Sequence, residues 1–323
     1  MRDTLNRQID YMRLSVTDRC NLRCRYCMPA EGVPLIAHRD ILRYEELLQV
    51  ARAAVALGID RFKVTGGEPL VRRGITDFIR ALKALPGVNQ VTLTTNGLRL
   101  PPLLDGLLAA GLDAVNISID TLDNAQYQAI TRSAHTADEV RAVIRQCAGQ
   151  LPTKVNVVLL PETAPQRIPL ARLAEGLPVD VRFIERMPIG AAGIDADEPV
   201  HINVIDLLRT VWPGLHPIDV RRGNGPARYF SAPELQGCIG LIEAVSHSFC
   251  EGCNRVRLTS TGFIKSCLCY PAGTDLKPLL RGGADEAALC AALRHAILGK
   301  PAAHCFVQRE EVIEHKNMNQ IGG

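Results

Sequence analysis

The sequence predicts an α/β protein whose larger part is an incomplete (β/α)6 barrel of the TIM type, followed by a smaller C-terminal domain. Three observations predict this fold. Short strand-like runs alternate with longer helical patterns, and such alternation is typical of parallel strands joined by right-handed crossovers. One face of most predicted strands is polar. The alternation ends near residue 220, which divides the chain into residues 1–220 and 221–323.

The barrel is predicted from six strands and the helices between them. The strands are Tyr11–Thr17, Arg61–Thr65, Gln90–Thr95, Ala114–Asp120, Lys154–Leu160 and Asp180–Glu185, and the helices include Tyr44–Leu57, Ile75–Leu85, Leu103–Ala110 and Ala137–Ala148. Six such units fit an open doubly wound sheet or a barrel of fewer than eight strands. Parallel strands covered by helices on both faces are apolar throughout, and a complete eight-stranded barrel is filled with branched apolar side chains. The polar faces therefore favour an incomplete barrel around a wet cavity.

The C-terminal segment has a different pattern. Residues 254–259 and 262–268 are two strand-like runs joined by a Ser-Thr-Gly turn, and together they predict a β-hairpin. Asp275–Arg281 and Asp285–Leu298 predict two helices. The end of the chain, with Gly322 and Gly323, has few core-forming side chains and is predicted to be a flexible tail.

Composition excludes several classes of protein. Of the 323 residues, 47% are hydrophobic and 22% charged, which excludes wholesale disorder. The formal net charge of +3 is too small for a protein that coats nucleic acid. No apolar run is long enough to span a membrane. We therefore expect a cytoplasmic protein that binds neither nucleic acid nor membrane. Eleven cysteines in a reducing compartment indicate metal or redox chemistry, with the unclustered Cys147, Cys238, Cys290 and Cys305 as ordinary buried thiols.

The first cysteine cluster is Cys20-x3-Cys24-x2-Cys27, directly after the first predicted strand. Three thiolates on one loop suit a soft metal site. Structural zinc sites use four ligands, and no obvious fourth lies nearby. Three cysteines on a four-iron cluster would leave one iron open to another ligand. A zinc site and three metal-free thiols stay open as alternatives.

The second cluster is Cys250-x2-Cys253-x13-Cys267. A zinc site that borrows Cys269, Cys238 or His247 stays open. Because side chains alternate along a strand, Cys253 shares a face with two arginines, and guanidinium groups beside a metal ligand indicate an anionic ligand such as phosphate. The cations predicted to face the cavity are Arg255 and Arg257 on this hairpin, with Arg13, Lys63 and Lys154 on other strands. Arg221 and Arg222 are interpreted as solvated surface residues.

The first cluster, with the aromatic Tyr26 before its last cysteine, resembles the signature of the radical S-adenosylmethionine superfamily. The resemblance implies a full or partial (β/α) barrel and a [4Fe–4S] cluster on Cys20, Cys24 and Cys27, with S-adenosylmethionine on the open iron. The hexapeptide at 65–70, Thr-Gly-Gly-Glu-Pro-Leu, resembles the glycine-rich element beside the methionyl group. The cofactor contacts implied by this resemblance are Tyr26, Gly67, Ser118 and Met187.

The whole chain resembles the GTP 3′,8-cyclase family, through both cysteine clusters, the sequence Cys-Asn-Arg-Val-Arg-Leu at 253–258 and the Gly-Gly end. The resemblance implies a lyase that converts GTP to (8S)-3′,8-cyclo-7,8-dihydroguanosine 5′-triphosphate, the first step of molybdenum cofactor biosynthesis. It implies a second [4Fe–4S] cluster on Cys250, Cys253 and Cys267. The implied GTP contacts are Arg13, Lys63, Thr94, Lys154, Arg255, the backbone of Val256, and Arg257, which is also the expected catalytic residue. Lys63 replaces the usual arginine of the family, so a bidentate grip on phosphate is lost there.

The resemblance also implies partners: the substrate GTP, an electron donor, and cyclic pyranopterin monophosphate synthase as the next enzyme. It allows a homodimer. Two other functions stay open from the residues alone. A radical enzyme that modifies a peptide would have no need for five cations around one cavity. A zinc-stabilised nucleic-acid-binding module would need a basic stripe and stacking aromatics, but only 4% of the residues are aromatic.

Overall fold

The structure, a computed structural model, describes residues 1–190, 203–220, 222–306 and 314–322. Arg221, interpreted as a surface residue, and Gly323, part of the predicted tail, lie outside the described residues. Within the described part of the chain, twelve strands form one continuous sheet. No helix in these same ranges is long and apolar enough to cross a membrane.

The six predicted barrel strands are confirmed, and they pair in parallel in chain order. They are β1 (Tyr11–Ser15), β2 (Arg61–Thr65), β3 (Gln90–Thr95), β4 (Ala114–Ser118), β5 (Thr153–Leu159) and β6 (Val179–Glu185). β1 and β4 end two residues earlier than predicted. At both places the chain leaves the sheet and enters a loop at the carboxyl edge of the strands.

The chain from His216 onward adds strands to both edges of this sheet. These strands are β7 (His216–Ile218), β8 (Arg228–Ser231), β9 (Ile239–Ile242), β10 (Arg255–Leu258), β11 (Phe263–Lys265) and β12 (Thr274–Asp275). β9 pairs in parallel with β6, and β10 pairs in parallel with β1. The predicted hairpin is confirmed as the antiparallel pair of β10 and β11. The division of the chain at residue 220 stays a prediction.

Helices connect the parallel strands and cover the outer face of the sheet. Their bounds are Tyr44–Ala56, Ile75–Lys83, Leu104–Ala109, Asn124–Thr131, Ala137–Ala148, Arg167–Ala171, Leu173–Gly176, Val204–Arg209, Lys277–Arg281, Glu286–Leu298 and Met318–Ile321. The start of the helix at Ala137 follows from a capping box, in which Thr136 and Glu139 satisfy each other's backbone N–H groups. The first helix, Tyr44–Ala56, packs against Glu286–Leu298, so the two ends of the chain share one helical layer.

The two faces of the strands have opposite character, as the sequence predicted. Met12, Leu14, Phe62 and Val64 are fully buried in the main core between sheet and helices. The opposite faces are polar and enclose a cavity of about 550 Å³. Its strand-borne polar lining includes Arg13, Lys63, Thr92, Thr94, Asn116, Lys154, Asn156, Asp180, Arg182 and Arg257. The incomplete barrel is therefore confirmed, and its interior is polar.

Candidate functional site

The first cysteine cluster lies on the loop after β1, and Cys20, Cys24 and Cys27 all line the cavity. The loop turns tightly, since the backbone N–H of Cys27 donates to the carbonyl of Cys24 at 2.9 Å. The N–H of Leu22 donates to the Cys20 sulfur at 3.4 Å. Burial raises the pKa of Cys20 to about 11 and that of Cys27 to about 12. Burial also raises the pKa of Cys24, and the charges of neighbouring thiolates add to the rise for Cys24 and Cys27. Three thiols thus share one enclosed space.

The glycine-rich loop after β2 packs directly against this cysteine loop. The N–H of Gly67 donates to the carbonyl of Thr17 at 2.7 Å, and the N–H of Glu68 donates to the carbonyl of Arg19 at 2.8 Å. A Cβ on Gly67 would lie 2.4 Å from the Arg19 oxygen. Glycine is therefore required here by the close approach of two backbones.

Two buried carboxylates brace the loops around the first cluster. Glu68 accepts hydrogen bonds from the N–H of Leu70 at 2.9 Å, the N–H of Asn96 at 2.7 Å and the Thr95 hydroxyl at 2.8 Å. Burial raises its pKa to about 7. Asp120 accepts a hydrogen bond from the Tyr26 hydroxyl at 2.7 Å, and burial raises its pKa to about 6.

Asp120 was missed as a site residue by sequence reasoning. The sequence did contain a signal for it, since Asp120 is the last residue on the polar face of the fourth predicted strand.

The second cysteine cluster lines the same cavity. Cys250 and Cys253 precede β10, and Cys267 follows β11. Although burial opposes ionisation, hydrogen bonds from His304 and Ser248 lower the pKa of Cys250 to about 7. The backbone N–H of His304 donates to the Cys250 sulfur at 3.4 Å. This cluster therefore lies among hydrogen-bond donors.

Cys269 differs from Cys267 in its surroundings. Cys267 lines the cavity, whereas Cys269 is fully buried with its sulfur 2.9 Å from that of Cys305. Cys305 is buried, as interpreted from the sequence, and folding also brings it against Cys269. Cys267 is consequently the better placed of the two to hold a group inside the cavity.

Cations on three adjacent strands face the cavity side by side. Arg13 on β1 is in register with Arg257 on β10 and with Lys63 on β2. Burial lowers the pKa of all three, and the positive charges of their neighbours lower it further. On the far side, burial and then the charge of Arg182 lower the pKa of Lys154 to about 8. Such mutual repulsion is relieved by a bound anion.

Two further arginines of the cavity were not predicted as site residues. Arg182 on β6 is buried, and its Nε and Nη2 donate to Oδ1 of Asn156 at 3.0 and 2.6 Å. Its alternation with apolar Val181 and Phe183 was the signal that could have found it. Arg222 lines the cavity and forms an ion pair with Asp180 at 3.0 Å. Its side chain is 39% exposed, as the interpretation as a surface residue expects, and it also lines the cavity.

The remaining predicted site residues lie as follows. Tyr26, Gly67, Ser118, Met187, Thr94 and Arg255 line the cavity. Val256 is fully buried in the main core, so its side chain faces the helices and only its backbone is available to the cavity.

The tail also contributes, since Met318 and Asn319 line the cavity and Arg257 donates to the carbonyl of Gly322 at 3.0 Å. The described part of the tail is thus packed into the site.

Each cluster supplies sulfur donors only. Within the described ranges, no group of three or more His, Cys, Asp or Glu side chains has the geometry of a metal-ion site. A single zinc ion draws its sulfur ligands in to about 2.3 Å, whereas a four-iron cluster is larger and is held by thiolates around its outside. Three soft donors at the wall of a cavity fit an iron–sulfur cluster with one iron left for an outside ligand.

Comparison with known proteins agrees with this geometry. Residues 14–174 match the family model of the radical SAM superfamily, and residues 179–306 match the model named Molybdenum Cofactor Synthesis C. The chain is 44% identical over 328 residues to GTP 3′,8-cyclase of Moorella thermoacetica, covering 100% of both chains. It is 42% identical over 328 residues to GTP 3′,8-cyclase of Geobacter sulfurreducens, covering 99% of both.

Solved structures share the fold at low sequence identity. SuiB of Streptococcus suis superposes with a TM-score of 0.63 at 14% identity, over 93% of this chain and 74% of that one. Radical SAM enzymes bind a [4Fe–4S] cluster and S-adenosylmethionine, and GTP 3′,8-cyclases carry a second cluster. The cofactors of the chain are accordingly two [4Fe–4S] clusters and S-adenosylmethionine. Full-length identity, both family models and both cysteine clusters lead to one conclusion: the chain belongs to the GTP 3′,8-cyclase family of radical S-adenosylmethionine enzymes.

Proposed function

We propose that this chain converts GTP to (8S)-3′,8-cyclo-7,8-dihydroguanosine 5′-triphosphate, the first step of molybdenum cofactor biosynthesis, inside its barrel. The observation that carries the proposal is the convergence of two cysteine clusters and several cations on one cavity of about 550 Å³. A cavity of this size lies within the range of small-molecule sites. The cations favour a substrate with several negative charges.

The first cluster site is proposed to generate the radical. When bound at Cys20, Cys24 and Cys27, the iron–sulfur cluster and S-adenosylmethionine supply the radical that begins the cyclisation. The proposed contacts of S-adenosylmethionine are Tyr26, Gly67, Ser118 and Met187, all of which line the cavity. Asp120 holds the Tyr26 hydroxyl at 2.7 Å, so this aromatic side chain is fixed before the cofactor binds.

The cations are proposed to position GTP. The residues assigned to its triphosphate and sugar are Arg13, Lys63, Thr94, Lys154, Arg255, the backbone of Val256, and Arg257, to which the buried Arg182 is added. Lys63 acts as a point charge where an arginine would bind in a bidentate way. Holding the phosphates at several points fixes the ribose between the two cluster sites. This lowers the entropic part of the activation barrier, because the reacting groups are already oriented.

The second cluster site, Cys250, Cys253 and Cys267, is proposed to hold the guanine end of GTP. Arg257 is proposed as the catalytic residue, since it faces the substrate region and also holds the tail through Gly322. An electron donor, the downstream cyclic pyranopterin monophosphate synthase, a homodimer and a cytoplasmic location stay predictions.

The direct test is anaerobic turnover with GTP, S-adenosylmethionine and a reductant. Wild-type protein is expected to form 5′-deoxyadenosine and the cyclised nucleotide, both measured by chromatography with mass spectrometry. Cys24→Ala is expected to form neither, because the first cluster loses a ligand. Cys147→Ala, which removes a core thiol on the helix Ala137–Ala148, is the matched control and should keep activity. Deoxyadenosine from the Cys24 variant would refute the assignment of the first site.

A matched pair of cysteines tests the second site. Cys267→Ala is expected to lower the iron and sulfide content of the reconstituted protein by about half, since one of two equal clusters loses a ligand. Cys269→Ala should keep the full iron content, because Cys269 contacts Cys305 instead. Equal iron loss in both variants would contradict the assignment of Cys267.

Arg257→Ala is expected to weaken GTP binding. Hydrogen bonds from charged groups contribute about 1.5–3 kcal/mol, so the dissociation constant should rise roughly tenfold or more. Iron content should stay near the native value, because Arg257 is not a cluster ligand. Arg52→Ala, on the exposed face of the first helix, is the control and should leave the dissociation constant unchanged. Native GTP affinity and turnover in Arg257→Ala would remove this residue from the site.

GTP affinity is expected to fall as pH rises through about 8. The pKa of Lys154 is about 8 in the free protein, and bound triphosphate favours its ammonium form and raises that pKa. Above this pH, Lys154 must take up a proton when GTP binds. The affinity for GTP therefore falls by up to about tenfold per pH unit for each proton taken up. Lys154→Arg keeps its charge and should show a shallower pH dependence. Equilibrium dialysis at about pH 7 and about pH 9 measures this; identical slopes would contradict it.

A further inference from the structure

A buried lysine joins the two strands that carry the second cysteine cluster. Lys300 is only 5% exposed and follows the helix Glu286–Leu298. Its Nζ donates to the carbonyl of Arg255 at 3.0 Å and to the carbonyl of Ser266. Arg255 lies two residues after Cys253, and Ser266 immediately precedes Cys267. The ammonium group is therefore held by carbonyls close to two proposed cluster ligands, and neutral carbonyls do not neutralise its charge.

The same lysine lines the cavity together with Cys250, Cys253 and Cys267. An ammonium group has three N–H donors, and the carbonyls of Arg255 and Ser266 accept hydrogen bonds from that of Lys300. Its positive charge therefore lies at the cavity wall beside the three cysteines.

The first cluster has charges of both signs beside it. The guanidinium of Arg23 donates to the carbonyl of Cys20 at 2.8 Å, and the carboxylate of Asp120 accepts a hydrogen bond from the Tyr26 hydroxyl at 2.7 Å.

Lys300 is held in place by the N-terminal segment. Arg7 is buried and forms an ion pair with Asp3 at 2.6 Å. Its guanidinium donates to the carbonyls of Cys250 at 3.0 Å, Lys300 at 3.3 Å, Pro301 at 2.8 Å and Ala302 at 3.1 Å. One side chain thereby fixes the backbone of Lys300 relative to the loop of Cys250. The bonds from Arg7 hold the Lys300 backbone, and the carbonyls of Arg255 and Ser266 hold its ammonium group.

We propose that Lys300 is a positioning residue of the second iron–sulfur cluster, and that its fixed positive charge raises the reduction potential of that cluster. The inference rests on the proposed assignment of this cluster to Cys250, Cys253 and Cys267. Reduction makes a cluster more negative, so a nearby cation stabilises the reduced state, and hydrogen bonds to the sulfur ligands act in the same direction. A purely structural role, in which Lys300 only ties β10 to β11, would leave the potential unchanged.

The test isolates the second cluster. In the variant Cys20→Ala, Cys24→Ala, Cys27→Ala, the cluster at the second site is the remaining redox centre, and its potential is measured by anaerobic titration with electron paramagnetic resonance. In this background, Lys300→Met and Lys300→Gln are expected to shift the potential to more negative values. Lys300→Arg keeps the charge and should stay near the parent value. Lys277→Met, which removes a lysine paired with Asp40 instead, is the control.

The outcomes separate the two levels of the proposal. An unchanged potential in the neutral variants, with the cluster still bound, would overturn the role of Lys300 and leave the proposed function intact. Loss of the cluster from both neutral variants but not from Lys300→Arg would support a need for the charge. Loss from all three variants would overturn the inference in favour of a structural role. A background variant without any cluster would overturn the assignment of the second site, and the inference with it.

Discussion

The concentration of positive charge inside the barrel is the constraint on which the rest of the site depends. Arg13, Lys63 and Arg257 lie in register on three adjacent strands, where a parallel sheet normally places apolar side chains. Removing these charges from water costs free energy. The opposite faces of the same strands offset that cost by burying residues such as Met12 and Phe62 completely. Each strand therefore combines one stabilising face with one destabilising face that is available for binding a polyanion.

The second constraint is that the two cysteine clusters come from opposite ends of the chain and must share one cavity. Parallel pairing of β10 with β1 achieves this, because it places Arg255–Leu258 beside the strand that leads into the first cysteine loop. Arg7 reinforces the arrangement by binding four carbonyls of the C-terminal segment. The loops themselves are held by backbone contacts, as the close approach of Gly67 to Arg19 illustrates.

Much of this could be predicted from sequence because it depends on local periodicity and close spacing. The six barrel strands, their polar faces and the two cysteine clusters are of this kind. The strands β7–β9 were missed because they have only three or four residues each, and because β9 joins the sheet through β6, which is distant in sequence. Contacts such as that of Cys305 with Cys269, and of Arg222 with Asp180, arise only when remote segments meet. Val256 is assigned to the site only through its backbone, and the pattern of side chains in the sequence does not indicate backbone contacts.

The parallel pairing of β1 and β10 also has a consequence for biosynthesis. Asp10 and Asn254, which hydrogen-bond at the start of this pair, are separated by 244 positions. With synthesis at about 5–20 residues per second, β1 waits on the order of ten seconds or more for its second neighbour. During that time one edge of a charged strand is unpaired on the ribosome and open to chaperones or to wrong partners. The proposed ligand set of the second centre is complete only after the nascent chain has passed residue 267, long after that of the first centre.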